Sequence, residues 1–221
     1  MILAVLGDIH GNLPALQVAL RHVDDEGIHT VFVTGDLVVG KEWSAEVCDM
    51  LMQRSIHIVQ GLYDRHAAQF HRKQKQMQRR LSPELYSEVA KAADQLDSRT
   101  IEYLAGLPKR MHAMIEEISI CLCHGTPTSQ TDQIDPKTGD SRLLREREFT
   151  NADLILCGAS HQCFTRQVGT TLFVNPGSLG IANAKGLGTY ALVNTEEEPW
   201  AVTFYEVPLA ENPNGLSNAG W

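Results

Sequence analysis

Long apolar runs are missing from this 221-residue sequence. None approaches the roughly 18 residues that a membrane-spanning helix requires, so no membrane span is expected. The N-terminal stretch from Met1 to Asp8 lacks a basic segment, and it reads as a first strand rather than a secretory signal. Cysteine is sparse and odd in number, at five. With Cys121 and Cys123 inside a strand-like run, the expectation is reduced thiols in a cytoplasmic protein, not a disulfide framework. An excess of positive charge is missing too. The formal net charge is −8, which argues against nucleic-acid binding by the whole surface but leaves a local basic patch open. Internal repeats and domain linkers are also absent.

What is present is ordinary for a globular chain, with 43% hydrophobic and 21% charged residues. The length suffices for one large domain or two small ones with a real core. The expectation is one domain over residues 1–208, with a helical insertion at 65–108 and a flexible tail over 209–221. Ile2 to Leu6 is an apolar run ending in Gly7. Asn12 to Glu26 places Leu13, Leu16, Leu20 and Val23 at helical spacing, with Gly27 as the stop. Thr30 to Val33 reads as a strand, Trp43 to Arg54 as an amphipathic helix with Trp43, Val47 and Met50 or Leu51 inward, and Ile56 to Val59 as a strand. Such β-α-β-α-β alternation implies a parallel sheet with right-handed crossovers.

Residues 65–108 break the rhythm. Ala67 to Arg80 is polar and basic. Ser82-Pro83-Glu84 then opens a helix, with Ser as N-cap and Pro at the first position. A shorter helix runs from about Ser98 to Ala105. Arg65, Arg72, Lys73, Lys75, Arg79 and Arg80 have no acidic residue among them. A solvated helix face is the ordinary explanation, and a flank for an anionic substrate the sharper one, with Arg65 nearest a strand end. Met111 to Ile115 and Ile118 to Cys123 form a hairpin turning at Glu116-Glu117. A loop over Thr126 to Thr138 leads to a charged helix from Asp140 to Phe149 and a strand from Asp153 to Cys157. Thr170 to Val174 runs into the turn Asn175-Pro176-Gly177-Ser178. Gly188 to Thr195 and Trp200 to Val207 close the chain as antiparallel strands.

Chemistry-bearing residues gather at the strand ends: Asp8-Ile9-His10-Gly11-Asn12, Gly35-Asp36, Gly61-Leu62-Tyr63-Asp64, His124-Gly125 and Gly158-Ala159-Ser160-His161. Open α/β sheets collect ligands at such ends. Carboxylate and imidazole offered together suit a borderline divalent cation such as Mn, Fe or Zn. Each residue alone reads equally well as a capping Asp or a hydrogen-bonded His. Five of them at five strand ends argue against coincidence.

In this order and spacing the motifs resemble the calcineurin-like metallophosphoesterases, most closely a small bacterial branch that also carries an Asn-Pro-Gly-Ser turn. The resemblance spans about residues 1–207. It implies an α/β fold, a four-layer α-β-β-α sandwich of two mixed sheets with a helical insertion. It also implies hydrolysis of a phosphate mono- or diester by water activated between two metals roughly 3.5–4 Å apart. By resemblance, Asp8, His10 and His161 hold the first metal, Asp36 bridges, and His124 serves the second. Tyr63, Asp64 and Asn12 become catalytic candidates, and Arg65 a substrate-binding one. The implied cofactor is a divalent transition metal (Mn, Fe or Zn). The implied partner is a phosphate-containing small molecule rather than a membrane or nucleic acid, with oligomeric state left open.

Two departures from the family pattern matter. Gly61-Leu62-Tyr63-Asp64 stands where the family has Gly-Asn-His-Asp, so an amide ligand and a proton-donating histidine are gone. Ala159 stands where the family's Gly-His-Thr-His has its first histidine. Both lost ligands belong to the second metal, which implies one well-held metal and at most a weak second. Two functions remain. One is a phosphoesterase with a depleted second site, in which Tyr63 either donates a proton or merely fills the pocket; losing a general acid costs about 10²–10⁴-fold. The alternative is a weak or inactive member acting as a protein-binding scaffold, since a family member lacking the same histidine serves as an interaction platform. Nucleic-acid binding through Arg72 to Arg80 is a third, weaker reading, opposed by the acidic balance.

Overall fold

Apolar residues at every position of Ile2–Leu6 (β1) cannot all face one way, and the computed structural model, which describes residues 1–209, shows where each set goes. Leu3 and Val5 point into one apolar cluster, Ala4 and Leu6 into another on the opposite face. Strand β1 pairs in parallel with Thr30–Val33 (β2), which pairs in parallel with the two-residue His57–Ile58 (β3). On its other side lie Leu187–Asn194 (β9) and then Ala201–Pro208 (β10), each antiparallel to its neighbour. Helix α1 (Leu13–Asp25) crosses between β1 and β2, and α2 (Ser44–Met52) between β2 and β3. Asn12 caps α1 by accepting from the Ala15 amide.

The second sheet begins with the hairpin Arg110–Ile115 (β4) and Ile118–Cys123 (β5), turning at Glu116-Glu117 as expected. Helix α6 (Asp140–Thr150) follows, then Leu154–Leu156 (β6), Phe164–Val168 (β7) and Thr171–Asn175 (β8), in the sheet order β4-β5-β6-β8-β7. Strands β5, β6 and β8 are parallel, and both edges are antiparallel. Leu3, Val5, Phe32, Ala191 and Val193 of the first sheet meet Ile120, Leu122, Leu154, Leu156 and Val174 of the second. The outer face of the first sheet packs on the helices of the N-terminal half and the insertion. The outer face of the second packs Cys121, Cys123, Ile155 and Phe173 against Leu143 of α6 and against Ile134. These three apolar layers make the expected α-β-β-α sandwich. Each fully buried Leu, Ile or Phe contributes about 1.5–3 kcal/mol to it.

Between β3 and β4 along the chain come three helices: α3 (Leu62–Arg80), α4 (Pro83–Gln95, capped by Ser82) and α5 (Ser98–Gly106, capped by Asp97). Their apolar faces, including Phe70, Met77, Val89 and Leu104, join the cluster over the first sheet. Helix α3 starts at Leu62, three residues before the expected insertion, because Asp64 accepts from the Gly61 amide and closes a cap there. The helix therefore begins inside the motif read as a strand end. Strand β3 is shorter than expected, although the Val59 amide still bonds the Val33 carbonyl.

Strand β7 was not expected. Phe-Thr-Arg-Gln-Val offers apolar residues only at its ends, as an edge strand can, and Gly169 at φ +59 turns it back onto β8. Leu209 packs against the core, and the rest of the expected tail lies outside the described residues. Among the described residues, no helix is long and apolar enough to cross a membrane.

Candidate metal centre

All the strand-end motifs of the first three strands converge because their backbones hold one another. The Asp8 amide donates to the Gly35 carbonyl, that of His10 to Asp36, and that of Gly11 to Leu37. Space for this contact comes from glycine: a Cβ on Gly61 would lie 2.1 Å from the Asp36 amide nitrogen, and one on Gly35 2.6 Å from the Gly61 nitrogen. Asp8, His10, Asp36, Val39, Ala159 and His161 all sit at positive φ, between 49° and 70°. A positive φ is uncommon outside glycine, and strained for a β-branched residue such as Val39. Six such residues at one end of two sheets mark a place where backbone shape serves side-chain direction.

Each imidazole is aimed. His10 donates from Nδ1 to the Val39 carbonyl at 3.0 Å, and His124 from Nδ1 to the Thr34 carbonyl at 2.9 Å. Both therefore present Nε2 inward, the arrangement that orients metal-binding histidines. His10 Nε2 lies 3.3 Å from His161 Nε2, and His161 Nε2 lies 3.5 Å from Asp8 Oδ1. His124 Nε2 lies 3.2 Å from Asp36 Oδ2. Two sets of ligand atoms lie within 4.8 Å of one another: Asp8, His10 and His161, and Asp8, Asp36 and His124. The carboxylate common to both sets is Asp8, whereas the resemblance put Asp36 between the metals. This oxygen and imidazole set fits a borderline divalent transition ion.

The charges are tightly opposed. Burial pushes the Asp36 carboxyl up, but His124 beside it wins and holds it at about 2. Burial pulls His124 down, and the negative charge and hydrogen bond of Asp36, with Asp8 behind, lift it to about 10. Burial lowers His10, while for His161 the hydrogen bond and charge of Asp8 outweigh burial and raise it.

The other expected residues divide. Tyr63 lines a pocket of about 30 Å³ with His10, His161, Val39, Leu85 and Ile181. Its ring lies 5.5 Å from that of His10, and its amide donates to Asp36 at 2.8 Å. Burial, with Asp36 and Asp8, pushes its phenol up to about 12. Asp64 is fully buried and turned away from the pocket, accepting from the amides of Leu37, Val38 and Gly61. Burial and the charge of Asp36 raise it to about 7. Asn12 bridges the Ala15 amide and the Leu179 carbonyl. Arg65 donates to Gln130 at 3.1 Å. Leu62 offers no ligand, and the Ala159 amide donates to both Asp8 carboxylate oxygens.

Sequence reasoning missed Gln130, whose amide also donates to the Gln60 carbonyl at 2.6 Å. It missed Leu85 and Ile181 at the pocket, and the role of Ser178, which donates to the Asp8 carbonyl at 2.6 Å and accepts from Gly180 and Ile181. The Asn-Pro-Gly-Ser turn was the available signal for Ser178. Nothing local marks the others.

The sequence model of the calcineurin-like phosphoesterase superfamily domain matches residues 1–198. No curated protein matches the chain. Among solved structures, a hypothetical protein from Pyrococcus horikoshii is 24% identical, covering 95% of this chain and 89% of its own, with a TM-score of 0.85. A metallophosphoesterase from Sphaerobacter thermophilus is 20% identical with the same coverages and a TM-score of 0.70. Vps29 from Entamoeba histolytica, solved with zinc, is 20% identical, covering 94% of this chain and 98% of its own, with a TM-score of 0.53. At these identities the likeness carries the fold.

Proposed function

Because the chain belongs to the calcineurin-like phosphoesterase superfamily, we propose that it hydrolyses a phosphate mono- or diester at the centre formed by Asp8, His10, Asp36, His124 and His161. The observation that carries this reading is the convergence of the His10 and His161 Nε2 atoms, 3.3 Å apart, beside Asp8. Two basic nitrogens turned towards each other call for a shared electrophile. A divalent ion bound there would polarise phosphoryl oxygen and lower the pKa of a water.

The residues do the rest. Val39 and Thr34 fix the tautomers of His10 and His124 through their carbonyls, and the Ala159 amide fixes the Asp8 carboxylate. Tyr63 Oη keeps its proton across neutral pH and stands beside His10 as the donor towards a leaving oxygen. Arg65, held by Gln130 immediately after the motif that carries Tyr63, supplies positive charge for an anionic substrate. Asp64 and Asn12 act as positioning residues, holding the Asp36 loop and the start of α1. With Leu62 and Ala159 in place of ligands, the protein holds one ion well and a second weakly.

A second reading, a metal-holding protein that binds a partner without turnover, is favoured by Leu62 and Ala159 standing where ligands are expected. Leu85 and Ile181 give the pocket beside His10 and His161 an apolar rim. One experiment separates the two: hydrolysis of phosphomonoester and phosphodiester dyes with added Mn²⁺, wild type beside Asp36→Ala, with metal content measured on each. We expect turnover that disappears in the variant, and close to one metal per wild-type chain. Turnover no higher than the variant's would sink the enzymatic reading, and two tightly held metals would sink the asymmetry.

A further inference from the structure

We propose that α3 is a docking track for single-stranded nucleic acid, whose phosphates pair with its cations while one ester reaches the metal centre. The inference deepens the phosphoesterase reading and rests on it for the fate of that ester; the binding it asserts stands separately.

Helix α3 carries six Lys or Arg against one Asp, so on a total of −8 the rest of the chain stands at −13. That single Asp, Asp64, is buried. Arg72, Lys73, Lys75, Arg79 and Arg80 are exposed and Arg65 half-buried. Elsewhere Arg54, Lys91, Arg99, Arg142, Arg166 and Lys185 each have a carboxylate within 4 Å. Among the described residues, none of the six cations on α3 forms such a pair. Seven of the 13 Lys and Arg outside α3 also lack such a pair, so what sets α3 apart is the gathering of six cations, with one buried Asp, on a single helix.

Direction and spacing identify the occupant. The helix starts at the centre, where the Tyr63 amide bonds Asp36, and its 19 residues reach about 28 Å outward. Arg65 and Arg72, seven residues apart on the segment before the break at Lys73, share a face about 10 Å apart, and Arg79 follows on the segment beyond it. That face is opposite the buried Ala67, Phe70 and Met77. A non-helical Lys73 bends the track without removing it. No exposed large apolar residue lies on α3, so the face suits a repeating polyanion and not a membrane or an apolar protein surface. A single strand fits better than a duplex. His10 is 3% exposed, and an ester inside a rigid duplex cannot follow it down.

The test is anisotropy of a labelled 20-nucleotide single strand with the full chain, without added metal, across a salt series. Six phosphate contacts predict a slope of log K against log salt near −4, or about a 300-fold loss between 50 and 200 mM. The variant Arg72→Gln/Arg79→Gln/Arg80→Gln, checked for unchanged thermal unfolding and metal content, should bring the slope to about −2. No binding at 50 mM, or the same slope in the variant, would overturn the proposal. Equal affinity for a duplex, or tighter binding of inorganic polyphosphate, would overturn its assignment to a single nucleic-acid strand. Strand binding with the expected slopes by a protein that leaves both dye esters intact with Mn²⁺ would leave the track standing and remove only the phosphoesterase reading.

Discussion

Two imidazoles at the centre are fixed by the same device, a backbone carbonyl behind Nδ1, yet their protons behave oppositely. His10 has lost affinity for its proton through burial, while Asp36 and Asp8 make His124 cling to one up to about pH 10. On the proposed reading, a metal and a proton would compete for His124 Nε2. Raising the pH removes the competitor, so metal affinity must increase with pH below that value. We expect the apparent affinity for Mn²⁺ or Zn²⁺ to rise about tenfold per pH unit between 6.5 and 8.5, with close to one proton released per ion. Titration calorimetry in buffers of different ionisation enthalpy measures both quantities. A flat profile would mean that His124 is not a ligand. At this scale the sequence was informative about identity and silent about tautomer. Asp8, His10, Asp36, His124 and His161 were legible from their strand-end positions. The Val39 and Thr34 carbonyls that aim them were not, because a backbone acceptor leaves no mark in residue type.

At the scale of elements, the junction between β3 and α3 carries most of the surprise. The motif Gly61-Leu62-Tyr63-Asp64 reads as a strand end followed by an insertion, but Asp64 folds back on the Gly61 amide and starts the helix at once. Capping by an Asp three residues after a Gly competes with any loop reading, and the competing signal is only one carboxylate long. This early start puts Tyr63 against Asp36 and leaves Gly61 in backbone contact with the Asp36 loop. Substituting Gly61 by Ala places a methyl 2.1 Å from the Asp36 amide nitrogen and from Oδ1. The Asp36 loop must shift, at an overpacking cost of about 1–3 kcal/mol. Disturbed support of a ligand weakens metal binding about 10–100-fold. Metal retention against a chelator should therefore fall by that factor in Gly61→Ala, while circular dichroism stays that of the wild type. Full metal retention would show that the close approach is relieved elsewhere. Strand β7 failed to be legible for a different reason: an edge strand with solvent on one side needs few apolar residues, and Thr165, Arg166 and Gln167 give no period.

Across the whole molecule, the two sheets meet over an apolar interior but share their charged groups only at one end. Asp8, His10 and Asp36 follow strands of the first sheet, whereas His124 and His161 follow strands of the second. The alternating N-terminal half and the strand-rich C-terminal half made both sheets legible, since hydrophobic period is a property of each segment. Their facing was legible only through the resemblance, because no local pattern says which faces meet. On the proposed reading, an ion held by residues from both sheets would tie them together and bind the folded chain alone. Its stabilisation follows mass action, about 2.7 kcal/mol at 100 times Kd. For a chain of this size that corresponds to roughly 5–10 °C in Tm. We expect the wild type to lose that much on chelation and to regain it with added metal. Asp8→Ala, which removes the carboxylate common to both ligand sets, should unfold at one temperature in both conditions, because a metal it cannot hold cannot be removed. His161→Ala tests the cross-link itself. If its metal-dependent shift matches the wild type's, the ion rests on the remaining residues and His161 contributes nothing to holding the sheets together.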